Sequence, residues 1–204
     1  MFLFESIRVD NGQIPLLNFH QERVDLSYST VFKKVNTYNL QECIEPFLKK
    51  EGTQKCRFIY DDKKYRIEII DYHLIEPKRI GWLKIDPNFT YPFKYYDRSF
   101  FTRIKESYSG FNEILLVKND MITDSTYCNL IVYAKDNWII PQTCLLNGVE
   151  RTRIISEYNF AIEPITIDEF LSAKEYKLIN AMRPFEGVEA RKPHETIYLG
   201  EFFL

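Results

Sequence analysis

The apolar residues of this chain come in short runs, most of them closed by a turn signal, with helical spacing in between. Residues 3–9 read as a strand and end at Asp10-Asn11-Gly12, residue types that favour tight turns. Residues 55–60 and 64–71 form a hairpin across Asp61-Asp62-Lys63. Residues 130–133 and 138–140 form another across Lys135-Asp136-Asn137. Residues 113–117 are strand-like and stop at Asn119-Asp120. Short strands are also expected at 14–18, 80–85, 161–165, 177–179 and 188–190. Helical spacing is expected over 20–33, 40–50, 97–109, 148–158 and 168–172, with Pro46 giving the second helix a kink or a later start and Asp97 near the cap of the third. Strands and helices in this mixture define an α/β chain.

At 204 residues the chain has room for one or two domains. Pro87 and Pro92 bracket an extended stretch. The expected division is therefore a smaller α/β domain over 1–86, a linker over 87–94 and a larger domain over 95–204. Glu76-Pro77 is a competing boundary, with the strand after it assigned to the first half.

Composition narrows the partners. A net charge of −2 gives no electrostatic case for nucleic acid or a membrane surface. The aromatic share of 16% fits cores and dimer seams. Cys43, Cys56, Cys128 and Cys144 form no close pair with metal-ligand spacing, so free thiols in a reducing cytoplasm are expected, and no metal. The first residues carry no basic segment and no long apolar run, so no signal peptide is expected.

Chemistry concentrates between Lys94 and Arg151. Lys94 sits among Tyr91, Pro92, Phe93, Tyr95 and Tyr96, a setting that can free its amine for imine formation. Asp124 lies in Thr123-Asp124-Ser125-Thr126, read as a polar turn. Gly148 opens a helix, which offers the amides of Val149 and Glu150 to an anion, provided the Glu150 side chain points away. Upstream, Arg23 in His20-Gln21-Glu22-Arg23 can add a bidentate phosphate contact. An amine, a carboxylate and free amides are together what pyridoxal phosphate needs: a Schiff base, a partner for the ring nitrogen and a phosphate cradle. His73 and His194 are read as surface or structural residues.

In order and spacing these elements resemble the class IV pyridoxal-phosphate enzymes, which include branched-chain and D-amino-acid aminotransferases and aminodeoxychorismate lyase. Phe4-Glu5-Ser6-Ile7-Arg8 resembles the F-E-x-I-R strand, and His20-x-x-Arg23 the H-x-x-R element with its phosphate-binding arginine. Lys94-Tyr95-Tyr96-Asp97-Arg98 resembles the Schiff-base segment K-x-x-[ND]-R of the lyase branch. Ile122-Thr123-Asp124-x4-Asn129 resembles v-T-E-x4-N, with Asp124 where the family usually has glutamate. Leu146-Asn147-Gly148-Val149-x-Arg151 resembles L-x-G-[IV]-x-R. Leu178-Ile179-Asn180-Ala181-Met182 resembles a late strand whose loop nears the phosphate.

The resemblance implies a two-domain fold type IV architecture, D-amino-acid aminotransferase-like, here with a shortened N-terminus. It implies a cytoplasmic homodimer with the cofactor in a cleft between the domains of each subunit. Lys94 would be catalytic. Arg23, Lys94, Asp124, Asn129, Gly148, Val149, Glu150, Asn180 and Ala181 would hold the cofactor, and Arg8, Arg98 and Arg183 are weaker candidates for a substrate carboxylate. The favoured activity is a lyase like the one that expels pyruvate from 4-amino-4-deoxychorismate to give 4-aminobenzoate for folate biosynthesis. One alternative is an aminotransferase of branched-chain or D-amino acids. A second is a cofactor-binding homodimer with little catalysis.

Overall fold

The computed structural model describes residues 1–203. The chain forms two compact units, Met1–Leu74 with Phe93–Asp97, and Ile75–Pro92 with Arg98 onward.

The first unit is built on an antiparallel sheet in the order β1 (Leu3–Asp10), β2 (Thr53–Tyr60), β3 (Tyr65–Asp71). Alternation along β1 sends Ile7 and Val9 into a core with Phe58, where Val24 and Tyr28 of α1 (Leu17–Phe32) meet Leu40 and Ile44 of α2 (Leu40–Ile44). The strand expected over 14–18 does not form. Asp10 and Gln13 exchange backbone hydrogen bonds of 2.8 and 2.9 Å, and His20 N–H bonds back to Leu16 O, so the chain winds directly into α1. Asn39 caps α2 by accepting from Glu42 N–H. The helix expected to 50 ends at Ile44, and a single 3₁₀ turn, Glu45–Phe47, follows. Pro46 has no N–H to continue the ladder, and its ring crowds the preceding turn. Residues 93–97 then return along β1: Phe4 N–H bonds to Lys94 O at 3.0 Å and Tyr96 N–H to Phe2 O at 2.9 Å.

The second unit holds β4 (Ile80–Ile85), α3 (Ser99–Ser107), β5 (Glu113–Lys118), β6 (Met121–Ser125), β7 (Asn129–Ala134), β8 (Asn137–Pro141), α4 (Val149–Glu157), β9 (Ala161–Glu163), α5 (Ile167–Ser172), β10 (Glu175–Ile179) and β11 (Ile197–Phe202). Their sheet runs β11-β4-β5-β6-β7-β8-β9, with β10 pairing β7. The pairs β11–β4, β4–β5 and β8–β9 are parallel, and the others antiparallel. Asn119 and Asp120 at φ 51° and 58°, and Lys135 and Asp136 at φ 52° and 59°, make the two-residue left-handed turns that join these antiparallel strands. The core gathers Trp82, Leu115, Ile122, Leu130, Val132, Phe170 and Leu178.

Three further expectations are corrected here, and one strand is new. β4 belongs to the second unit, because β5 and β11 satisfy its two edges, so the boundary falls after Leu74 and not at 86. The 87–94 stretch is no linker: Phe89 stacks on Phe100 of α3 at 3.7 Å, while Lys94 belongs to the first unit. Residues 188–190 form no strand, and the chain there meets β10 through the single bridge Tyr176–Arg191. β11 was not expected; it is half-exposed and carries Gly200 at φ 94°.

Candidate active site

In the first unit Lys94 lies beside β1. Its carbonyl accepts from Phe4 N–H, and its Nζ stands 4.8 Å from the centre of the Phe4 ring. The next residue of β1, Glu5, is 1% exposed. It accepts from Arg23 Nε at 2.9 Å, from Arg23 Nη2, and from His20 Nδ1 at 2.7 Å. His20 and Arg23 are three residues apart on α1, one turn of helix, so they share the face that meets β1. Burial opposes the charge on Glu5, but Arg23 and then His20 outweigh it and hold the carboxyl at about 2. Burial pushes the His20 pKa below its ordinary value, with Glu5 opposing. A neutral His20 therefore donates from Nδ1, and its buried Nε2 meets no hydrogen-bond partner among the described residues. Arg8 on β1 is paired with Asp10 at 2.7 Å.

In the second unit Asp124 is not on a turn but in β6, buried. Its Oδ1 accepts from Asn129 Nδ2 at 2.8 Å, and its Oδ2 from the amides of Leu145 and Leu146 at 2.9 Å each. Burial nevertheless pushes its pKa up to about 6 against those hydrogen bonds. Asn129 Nδ2 also donates to Leu146 O, which ties the start of β7 to the approach to α4.

Gly148 is the N-cap of α4, with φ −70° and ψ 148°. That backbone suits any residue; what glycine supplies is space. A Cβ there would stand 2.1 Å from Asn129 Oδ1. No side chain caps the helix, so the amides of its first turn, Val149 and Glu150, take no bond from a cap residue. Arg151 anchors this end through Asn147 Oδ1 at 2.8 Å and Pro141 O at 3.2 Å. The Glu150 carboxylate is fully buried and turned onto Arg153 and Phe185 N–H.

Beyond β10, Asn180 and Arg183 close a tight turn. Asn180 Oδ1 accepts from Met182 N–H at 2.8 Å, its Nδ2 donates to Tyr127 O at 3.1 Å, and Ala181 is buried. Arg183 is committed to Glu76 at 2.6 Å and to the carbonyls of Leu178 and Ile75. Arg98 donates to Thr126 O and lies against the Phe101 and Tyr127 rings, 4.6 and 4.9 Å from their centres.

The expected residues thus form two constellations, each internally connected. In one, Arg23 pairs with Glu5 while Lys94 lies against the preceding residue, Phe4; in the other, Asp124, Asn129 and Gly148 meet at the start of α4, and Asn180 and Ala181 lie in a separate turn after β10. Two residues that matter to this geometry had no role assigned from sequence. Glu5 lay inside a quoted motif, and a glutamate amid the apolar residues of a strand is the signal that would have drawn attention to it. Arg153 gave no signal beyond its i, i+3 spacing from Glu150.

The donor set fits a phosphorylated pyridine aldehyde. A carboxylate has about four acceptor positions. Among the described residues, protein donors fill three of them on Asp124, one on Oδ1 and two on Oδ2, which leaves one acceptor position on Oδ1. The uncapped start of α4 in the second unit suits a phosphate, and Lys94 in the first unit carries an amine. Among the described residues no group of three or more His, Cys, Asp or Glu is placed to hold a metal ion, and no helix is long and apolar enough to cross a membrane.

Residues 96–190 match the amino-transferase class IV family. An uncharacterized protein of Haemophilus influenzae is 30% identical over 183 residues, covering 88% of this chain and 97% of the relative. Among solved structures, a candidate 4-amino-4-deoxychorismate lyase from Haemophilus somnus is 25% identical, with a TM-score of 0.83 over 90% of this chain and 97% of its own. A candidate amino-acid aminotransferase from Mesorhizobium loti shares the fold at 17% identity, with a TM-score of 0.75 over 97% and 99% of the two chains. The chain belongs to the class IV amino-transferases, pyridoxal-phosphate-dependent enzymes of fold type IV.

Proposed function

We propose that the chain binds pyridoxal phosphate and acts as a lyase on 4-amino-4-deoxychorismate, releasing pyruvate to leave 4-aminobenzoate. One observation supports the cofactor above the others: Asp124 is a buried carboxylate whose donors among the described residues are all amides, with an acceptor position to spare. Such a group is suited to a cationic N–H. The lyase reading is supported by the Lys94-Tyr95-Tyr96-Asp97-Arg98 segment and by likeness to the Haemophilus somnus protein.

When bound, pyridoxal phosphate supplies a protonated ring that takes up the electrons of a breaking substrate bond. Asp124 would keep that ring protonated, its carboxylate being the acceptor for the ring N–H. Asn129 and the Leu145 and Leu146 amides hold Asp124 in place. The Val149 and Glu150 amides would hold the phosphate, and the family resemblance gives Arg23, oriented by Glu5, and Asn180 and Ala181 to the same group. Lys94 Nζ would be the amine that holds the cofactor, and the same amine would be the base placed to take the substrate's α-proton. Of the arginines considered for a substrate carboxylate, Arg8 and Arg183 are paired with acids, whereas Arg98 bonds a carbonyl and lies against two aromatic rings. The proposed assembly is a cytoplasmic homodimer.

The test is to assay purified protein with aminodeoxychorismate beside a panel of amino and keto acids. Pyruvate and 4-aminobenzoate are the expected products; transfer of an amino group to a keto acid would instead make the chain an aminotransferase. Borohydride treatment is expected to fix the cofactor on the peptide holding Lys94. Labelling of a different lysine would remove Lys94 from its role.

A further inference from the structure

We propose that Arg153 is a positioning residue that keeps the entry of α4 fit for a dianionic phosphate. The inference rests on the reading that the phosphate binds at this helix end. It starts from a conflict in the sequence: Glu150 places a negative charge in the first turn of that helix. A carboxylate there is attracted to the same free amides as the phosphate, and it repels a phosphate already bound.

The structure resolves the conflict by turning Glu150 inward. The side chain is fully buried, and its oxygens meet Arg153 Nε at 3.0 Å, Arg153 Nη2 at 2.7 Å and Phe185 N–H at 2.8 Å. Glu150 and Arg153 are three residues apart, so the pair closes along one helix face. Arg153 is itself held by Glu157 at 2.6 Å and by both oxygens of Glu186 at 2.8 and 2.9 Å. Its guanidinium therefore stays fixed over Glu150 instead of swinging into water. Without it, a buried carboxylate within one turn of the phosphate amides would keep the Phe185 N–H but lose its compensating charge.

A purely structural staple would affect stability alone. A charge-cancelling role requires that the damage depend on Glu150 and on the ligand's phosphate. Cofactor-free protein is titrated by absorbance with pyridoxal phosphate and with pyridoxal, which lacks the phosphate, and the melting temperature is followed with inorganic phosphate. Arg153→Met is expected to weaken pyridoxal phosphate binding by roughly tenfold or more, the scale of one charged hydrogen bond, and to abolish the stabilisation by inorganic phosphate. Pyridoxal binding should be unchanged. Adding Glu150→Gln to that variant should restore most of the lost affinity.

Equal weakening toward both aldehydes, or a double variant no better than the single one, overturns the proposal. If Arg153→Met does not fold, Glu150→Gln alone decides: it should bind pyridoxal phosphate at least as tightly as wild type, and a clear loss overturns the idea. A wild type that binds pyridoxal as tightly as pyridoxal phosphate overturns the phosphate reading itself, and the role of Arg153 with it.

Discussion

Glu5 in the first unit and Asp124 in the second are both buried carboxyls in strands, and both accept three hydrogen bonds from the protein. Their protonation runs in opposite directions. Glu5 is held at about 2 and Asp124 is pushed up to about 6. The number of hydrogen bonds does not account for this; the charge on the donors does. Arg23 brings a cation to Glu5, whereas Asn129, Leu145 and Leu146 bring only amide dipoles to Asp124, with Arg151 acting through space. Burial costs each group several kcal/mol, and only a paired charge offsets that. Glu5 is thus a completed structural element. Asp124 is incomplete, and the proposed pyridinium would complete it.

The largest expected effect comes from removing the charge that is already balanced. Glu5→Gln leaves Arg23 without its anion and should destabilise the fold by about 3–5 kcal/mol, read by denaturant unfolding. A loss below ~1 kcal/mol would place Glu5 among ordinary surface pairs. Asp124→Asn should leave stability close to wild type while turnover falls by about 10²–10³-fold, or ~2.7–4 kcal/mol in the barrier. Normal turnover in that variant removes the ring-nitrogen role. Asp124→Glu restores the residue usual in the family and should retain substantial activity if the pocket accepts one more methylene. Arg23→Ala should weaken pyridoxal phosphate binding by about 1.5–3 kcal/mol; unchanged affinity would reduce Arg23 to a partner of Glu5.

The finest test is a slope. The raised pKa of Asp124 contributes stability that is present below its unfolded value of 3.8 and lost as pH rises through about 6. Glu5 behaves oppositely: its contribution is present above 4.5 and is lost as pH falls through about 2. His20, kept neutral by burial, also loses stability as pH falls below 6.5, but equally in wild type and in Asp124→Asn. The difference between those two stability curves should therefore fall between pH 4 and 6 in cofactor-free protein and flatten once cofactor is bound. A difference that is level in the cofactor-free protein would mean Asp124 is already charge-compensated.

Much of this was legible in the sequence, where local pattern and final environment agree. The apolar run of β5 and the turns at Asn119-Asp120 and Lys135-Asp136 form as their residues suggest. Asp124 was misread because Thr123-Asp124-Ser125-Thr126 is polar enough for a turn, yet its polar atoms find partners inside the sheet: Thr123 on Leu116 O, Ser125 on Cys128 O and Thr126 on Glu113. β11 escaped notice because a half-exposed edge strand interrupted by Gly200 carries little alternation. The unit boundary was hidden for another reason. What assigns β4 to its sheet is pairing with β5 and β11, which lie far along the chain, and no local feature of Ile80–Ile85 encodes it.

The return of Phe93–Asp97 to the first unit has a consequence for synthesis. A nascent chain can pair β1, β2 and β3 once residue 71 has emerged, but Phe2 and Phe4 wait for 94–96 to cover their side of β1. By then β4 has also emerged, carrying Ile80, Trp82, Leu83 and Ile85, all of which end up buried. One of its neighbours, β5, is still to be made, and the other, β11, comes last among the described strands. While the ribosome completes the chain, β4 is thus an apolar strand with an open edge, the kind of segment that chaperones shield and that aggregation recruits first.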